Sequence, residues 1–325
     1  APELRSHMLG PSGDKALVTG ALGQIGTDLV QALRERHGSD AVIASDIRES
    51  AGHSSVEGGP FVILDVLDTD GISSICQSEG VSTIYHLAAL LSAVGERDPD
   101  LCRRINVGGT ISVLEAAKEC NLRVYSPSSI AVFGPDSPKH ATQDSPLNPT
   151  TVYGETKVTG EALAREYLER FNVDTRGIRY PGLISYKAPA GGGTTDYAVE
   201  IFHAALNEGH YQCFVRPDTR LPMLYMDDAI NATLSLMDSS EDVLGKSRAG
   251  YNIPCLSFSA VELVDAISDR VDGFTCEFVP DIRQEYADSW PDSIDGSLAE
   301  EEWDWTPKYD LASLVDEMLR GISSR

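Results

Sequence analysis

Tyr153 and Lys157 stand four residues apart, downstream of Ser129 and of the run Gly20-Ala21-Leu22-Gly23-Gln24-Ile25-Gly26. On a helix, positions i and i+4 share a face. Phenol and ammonium can then meet at one reacting group. A cation beside a phenol favours its ionised form, starting from an ordinary pKa of about 10. Tyr153 is therefore a candidate general base and Lys157 the group that tunes it, with the Ser129 hydroxyl the third polar group of the set. Tyr-x-x-x-Lys also recurs by chance on helices, and a serine after a strand is a common cap. It is their joint occurrence, in this order, that carries the chemistry.

Glycines at 20, 23 and 26 permit a tight turn and close backbone approach to a pyrophosphate. A helix opening at Gln24 and Ile25 adds amides and a positive dipole end. Asp46, at the end of the next strand, can accept both ribose hydroxyls and repels a 2′-phosphate, which favours NAD over NADP. Arg48 is the competing feature. Asp65 and Val66 end the third strand, where adenine would lie; Asp65 reads equally as a turn residue. Leu87, Ala88 and Ala89 end the fourth strand and let a cofactor lie against backbone. His86 reads as a packed core histidine. Asn106 is polar in mid-helix, either orienting the site or making a local helix bond. A base beside a dinucleotide site points to hydride transfer.

These residues need a scaffold. Strands are expected at 16–20, 41–46, 61–65, 81–87, 123–128 and 174–179, with helices at 24–36, 70–78, 99–120 and 152–171. Such alternation predicts an α/β fold, a doubly wound parallel sheet of Rossmann type. After Pro181 the pattern mixes. Helices are expected at 197–208, 260–270 and 311–319, a strand at 274–279, and a strand running into a helix over 223–237. Gly191-Gly192-Gly193 reads as a hinge. Residues 13–180 are thus expected to form the dinucleotide-binding domain. Residues 181–325 would mainly form a smaller α/β substrate lobe, with some segments returning to the first domain. Residues 1–12, with Ser6-His7-Met8, read as a cloning remnant.

The 325 residues carry a formal charge of −24, which argues against nucleic acid and anionic membranes as partners. No apolar run approaches the roughly 20 residues of a membrane helix. The six cysteines are scattered, without zinc-ligand spacing, and read as reduced intracellular thiols; no metal is expected.

Gly-x-x-Gly-x-x-Gly, Asp46, Ser129 and Tyr153-x-x-x-Lys157 together resemble the extended short-chain dehydrogenases over 16–179. In the second half, Arg179-Tyr180-Pro181-Gly182, Gly191-Gly192-Gly193-Thr194-Thr195-Asp196-Tyr197, Leu221-Pro222-Met223-Leu224 and Asp288-Ser289-Trp290-Pro291 resemble the short-chain L-threonine 3-dehydrogenases, as does the expected loop 90–96. The resemblance implies oxidation of the L-threonine β-hydroxyl by NAD+ to 2-amino-3-oxobutyrate. It implies that Tyr153 takes the hydroxyl proton, that Lys157 holds the nicotinamide ribose, and that Tyr180 and Pro181 border the cofactor. Thr194, Thr195 and neighbouring amides would hold the substrate carboxylate, Ser92 either of its charged groups, and Trp290 its methyl side. Tyr225 and Asp227 read equally as structural. Relatives commonly carry threonine at position 129, so substrate fit is open there. The family further implies a homodimer through helices 99–120 and 152–171, in the mitochondrial matrix of a eukaryote or otherwise in the cytoplasm. A rival on the same scaffold is a nucleotide-sugar 4-epimerase or dehydratase, with Arg216, Arg220 and Arg283 for its diphosphate. A reading of another class is a non-catalytic dinucleotide-sensing regulator, a kind that often loses the Tyr–Lys pair.

Overall fold

The computed structural model describes residues 15–325; the expected remnant at 1–12 lies outside the described residues. Six parallel strands form the main sheet, in the order Phe61–Ile63, Val42–Asp46, Lys15–Thr19, Val81–His86, Arg123–Tyr125, Thr175–Arg176. The chain winds outward in both directions from Lys15–Thr19. The carboxyl ends of that strand and of Val81–His86 therefore lie at the switch point, where doubly wound sheets bind ligands.

Side-chain alternation sorts the two faces. Ala16 and Val18 pack with Leu29 and Leu33 of helix Gln24–His37 and with Leu236 of helix Met226–Asp238. Leu17 points the other way, to Ile72 of helix Thr69–Glu79, Val113 of helix Gly109–Cys120 and Tyr167 of helix Val152–Phe171. Beyond the main sheet, Gly182–Ile184 pairs with Arg220–Tyr225, which pairs antiparallel with Leu256–Ser259. Tyr197, Phe202, Leu263, Trp290 and Leu314 bury a second core there, together with Ile130–Phe133 from the first half.

Several elements differ from expectation. The single helix expected at 99–120 is α-helical over Pro99–Arg103, a π-turn over Arg104–Gly108, and α-helical again to Cys120. Residues expected as a loop at 90–96 form a short helix, Ser92–Arg97. The strand expected at 123–128 stops at Tyr125, and Ser128–Ser129 pairs separately with Arg179–Tyr180. Among the described residues, no helix is long and apolar enough to cross a membrane, and no group of three metal-ligating side chains gathers. All six cysteines are free thiols.

Candidate active site

The glycine turn is held by its surroundings. Gly20 has φ +66°, and a Cβ there would sit 2.7 Å from Ala88 N. A Cβ on Gly26 would fall 2.2 Å from Gly20 O. At Gly23 a Cβ would meet, among the described residues, Gly20 O alone, at 3.4 Å, so this side of the turn is open. Gly23 caps helix Gln24–His37 without a side-chain bond, and no acidic residue stands in the first turn. The first amides of that helix are therefore available to an external anion. Asp46 steadies the turn by accepting from Leu22 N (3.1 Å) through Oδ2, which leaves Oδ1 for a ribose. The donor set fits a dinucleotide.

Individual cofactor residues are refined by their contacts. Gln24 donates its side-chain amide to Leu183 O and Ser185 Oγ, so only its main chain can serve the pyrophosphate. Asp65 accepts from Leu67 N at 2.9 Å, the turn arrangement. Val66 is buried under Gly109. The Tyr180 hydroxyl is spent in the core between Tyr125 and Thr233, so only its backbone and that of Pro181 can face the cleft. His86 is buried with Nδ1 on Thr19 Oγ1, and burial holds it down to about 3, a neutral packing residue. Thr19 Oγ1 also receives the amides of Leu87 and Ala88 and so shapes the strand end.

Helix Val152–Phe171 starts where Thr151 accepts from Gly154 N at 3.0 Å, and Glu96 takes Val152 N at 2.5 Å. This places Tyr153 in the first turn and Lys157 one turn later. The Ser129 side chain lies close enough to the Tyr153 phenol to favour its ionised form, and its hydroxyl accepts from Ala131 N. Lys157 Nζ donates to Pro127 O at 3.1 Å and lies 5.6 Å from the Tyr153 ring centre. The three residues converge. Burial nevertheless pushes the Tyr153 phenol up to about 12, and Ser129 offsets only part of this. Burial also pulls Lys157 down to about 8, with Cys102 and Glu161 opposing it. The expectation of a phenol ready to ionise near neutrality thus fails for the protein alone, because enclosure outweighs the help from Ser129.

Asn106 sits on the π-turn and is buried. Its side chain clamps Leu90 in both directions, accepting from Leu90 N (2.8 Å) and donating to Leu90 O (3.0 Å), and donates to Thr156 Oγ1. It therefore fixes the segment after Ala89 and also makes a local helix bond, donating to Cys102 Sγ (3.4 Å) one turn back. π-turns often mark such functional sites.

Ser92 and Thr194 are brought together from 102 residues apart: their hydroxyls lie 3.0 Å from each other, and Thr194 N donates to Ser92 Oγ. Ala93 N donates to Gly192 O (3.1 Å), and the carboxylate of Asp196 receives the amides of Gly192 and Gly193. Those amides, expected to meet a substrate carboxylate, already have partners within the chain. Thr195 packs its methyl against Gly182. Trp290 is buried, and its indole N–H has no hydrogen-bond partner among the described residues. Tyr225 and Asp227 flank Met226 where strand passes into helix; the Tyr225 ring packs tilted against Tyr309, 4.5 Å between centres, a packing role. Two features escaped the sequence: Asp196 as the clasp of the glycine run, and Glu161, which continues the Tyr153–Lys157 face by one more turn.

The sequence family described as NAD dependent epimerase/dehydratase matches residues 16–253. An uncharacterized epimerase/dehydratase of Staphylococcus aureus is 47% identical over 313 residues, covering 96% of this chain and 97% of that protein. The solved L-threonine dehydrogenase of Clostridium difficile superposes with a TM-score of 0.93 at 45% identity, covering 96% and 98% of the two chains. A monomeric L-threonine 3-dehydrogenase from a metagenome superposes at 0.92 and 49% identity, covering 95% and 99%.

Proposed function

We propose that this chain, which belongs to the NAD dependent epimerase/dehydratase family, is an NAD-dependent L-threonine 3-dehydrogenase. The reaction converts L-threonine and NAD+ to 2-amino-3-oxobutyrate, NADH and a proton. The observation that carries this reading is the convergence of Ser129, Tyr153 and Lys157 beside an uncapped helix N-terminus, in a chain alike end to end to L-threonine dehydrogenases. Bound NAD+ supplies the hydride acceptor. Tyr153 takes the β-hydroxyl proton, and Ser129 holds the same oxygen so that the Cβ–H bond faces the cofactor. Lys157 holds the nicotinamide ribose and stabilises the phenolate. Asp46 takes the adenosine ribose.

Residues 181–325 act mainly as the substrate lobe, with helix Met226–Asp238 returning to the dinucleotide domain. The Ser92–Thr194 pair and Thr195 line the substrate carboxylate and ammonium positions, and Trp290 packs the methyl. The Gly191–Gly193 run serves as the hinge of the loop that closes over them.

Arg216, Arg220 and Arg283, the candidates for a nucleotide-sugar diphosphate, are each ion-paired within the chain, with Asp288 (2.9 Å), Glu262 and Asp281. Following NADH absorbance over a panel of substrates tests the assignment. L-Threonine should be oxidised with NAD+ and only poorly with NADP+. L-Serine, lacking one methyl, should be about 10–200-fold worse. Epimerisation of UDP-galactose, with no NADH from threonine, would overturn the reading.

The chain is further read as a homodimer through the outer faces of helices Gly109–Cys120 and Val152–Phe171. Ile111 is 39% exposed there, and the neighbouring outward positions include Thr159 and Ala162. Light scattering should give twice the chain mass; a single-chain mass, the state named for the metagenomic relative, rejects this interface. The compartment follows the source, matrix in a eukaryote and cytoplasm in a bacterium, and fractionation of source cells decides it.

A further inference from the structure

We propose that Glu161 is a positioning residue of the reaction: it locks the Ser129 strand onto the Tyr153 helix and keeps a negative charge one turn behind Lys157. The inference rests on the reading of Tyr153 as the base. Tyr153, Lys157 and Glu161 follow at four-residue intervals on one helix and share a face. Lys157 holds Pro127 O, and Glu161 Oε2 accepts from Ser128 Oγ at 2.5 Å. The segment Pro127-Ser128-Ser129 is thus gripped at two successive residues by two successive turns of the helix whose first turn carries Tyr153.

Glu161 is itself anchored. Arg179 donates to it through Nε (2.9 Å) and Nη2 (2.8 Å), and both side chains are buried. Arg179 Nη1 continues to Gln143 O and Asn252 Oδ1. Backbone closes the remaining side: a Cβ on Gly250 would fall 2.5 Å from the Glu161 carboxyl carbon. A buried pair of this kind is a weak source of stability but a strict setter of geometry. The other titratable groups around Lys157 are Cys102, His86 and Tyr153; against burial, its charged form is favoured by Cys102 and then by Glu161, the one carboxylate among these groups. With that charge removed, Lys157 gives up its proton more readily. Tyr153 then ionises only at higher pH.

The test compares Glu161→Gln, Glu161→Asp and Ser128→Ala with the parent enzyme, each checked by thermal melting. Glu161→Gln should lower kcat roughly 10–100-fold, the scale of a misplaced reacting group, with NAD+ affinity little changed. The acid limb of its pH–rate profile should move up by about one unit. Glu161→Asp keeps the charge and should restore the limb while kcat stays low. A folded Glu161→Gln enzyme with near-parental kcat and an unmoved or lowered limb overturns the proposal. Should Glu161→Gln not fold, Ser128→Ala leaves the ion pair intact; it should lose several-fold in kcat with its limb in place, and parental kcat there overturns the positioning role. The tyrosinate absorbance difference between each protein and its Tyr153→Phe counterpart, titrated with NAD+ and no substrate, reads the same shift. It does so even if threonine is not the substrate, so the two readings fail separately.

Discussion

Tyr153→Phe should abolish most turnover, roughly 10²–10⁴-fold in kcat, the range for loss of a general acid–base group. The substitution removes one hydroxyl. It leaves the ring, its place in the first turn of helix Val152–Phe171 and the dinucleotide turn untouched. NAD+ affinity by calorimetry should therefore stay close to that of the parent, while single-turnover reduction with L-threonine collapses. A Phe variant retaining near-parental kcat would move the base elsewhere. The enclosed cysteine and histidine nearby offer no replacement: burial raises the Cys102 thiol pKa, and His86 is held neutral with Nδ1 on Thr19.

Gly26→Ala should cripple cofactor binding without touching the catalytic residues. The added methyl would lie 2.2 Å from Gly20 O and 2.8 Å from Ala21 Cα, both backbone, so the turn itself must shift. Overpacking of this kind costs typically about 1–3 kcal/mol, or about 5–150-fold in Kd for NAD+ if the strain falls on the binding-competent turn. Calorimetry with NAD+ reads the change, and a melt without cofactor separates it from global unfolding. Gly160→Ala is the matched comparison, since a Cβ there meets nothing within 4 Å among the described residues. Equal NAD+ affinity in the two variants would mean that the turn is not the pyrophosphate cradle.

The parts legible in the sequence were those governed by short spacing. Tyr153 and Lys157 share a helix face by arithmetic alone, and the glycine spacing announces its turn. Strand–helix alternation was enough to predict the parallel sheet. What escaped depends on which distant segments meet. Glu161 and Arg179 pair through the packing of a helix against a strand, and Ser92 meets Thr194 only because the two halves fold together. The Tyr153 pKa departs from expectation for a related reason. The spacing shows the cation but not the enclosure, and enclosure dominates. The helix expected at 99–120 was correct in extent and blind to its π-turn, because one widened turn leaves the apolar periodicity on either side nearly intact.

That widened turn also fixes how many residues the helix must contain. An α-helix advances about 100° per residue, so a deletion inside a regular segment would rotate everything beyond it away from the sheet. At Arg104–Gly108 the chain instead carries slack of one residue. A homologue one residue shorter at this point would keep Cys102 and Val113 on their packing faces and lose only the inward turn of Asn106, and with it the grip on Leu90. Alignments should therefore place single-residue gaps at 104–108 in preference to neighbouring helical positions, and a gap there marks a relative whose segment after Ala89 is anchored by some other means.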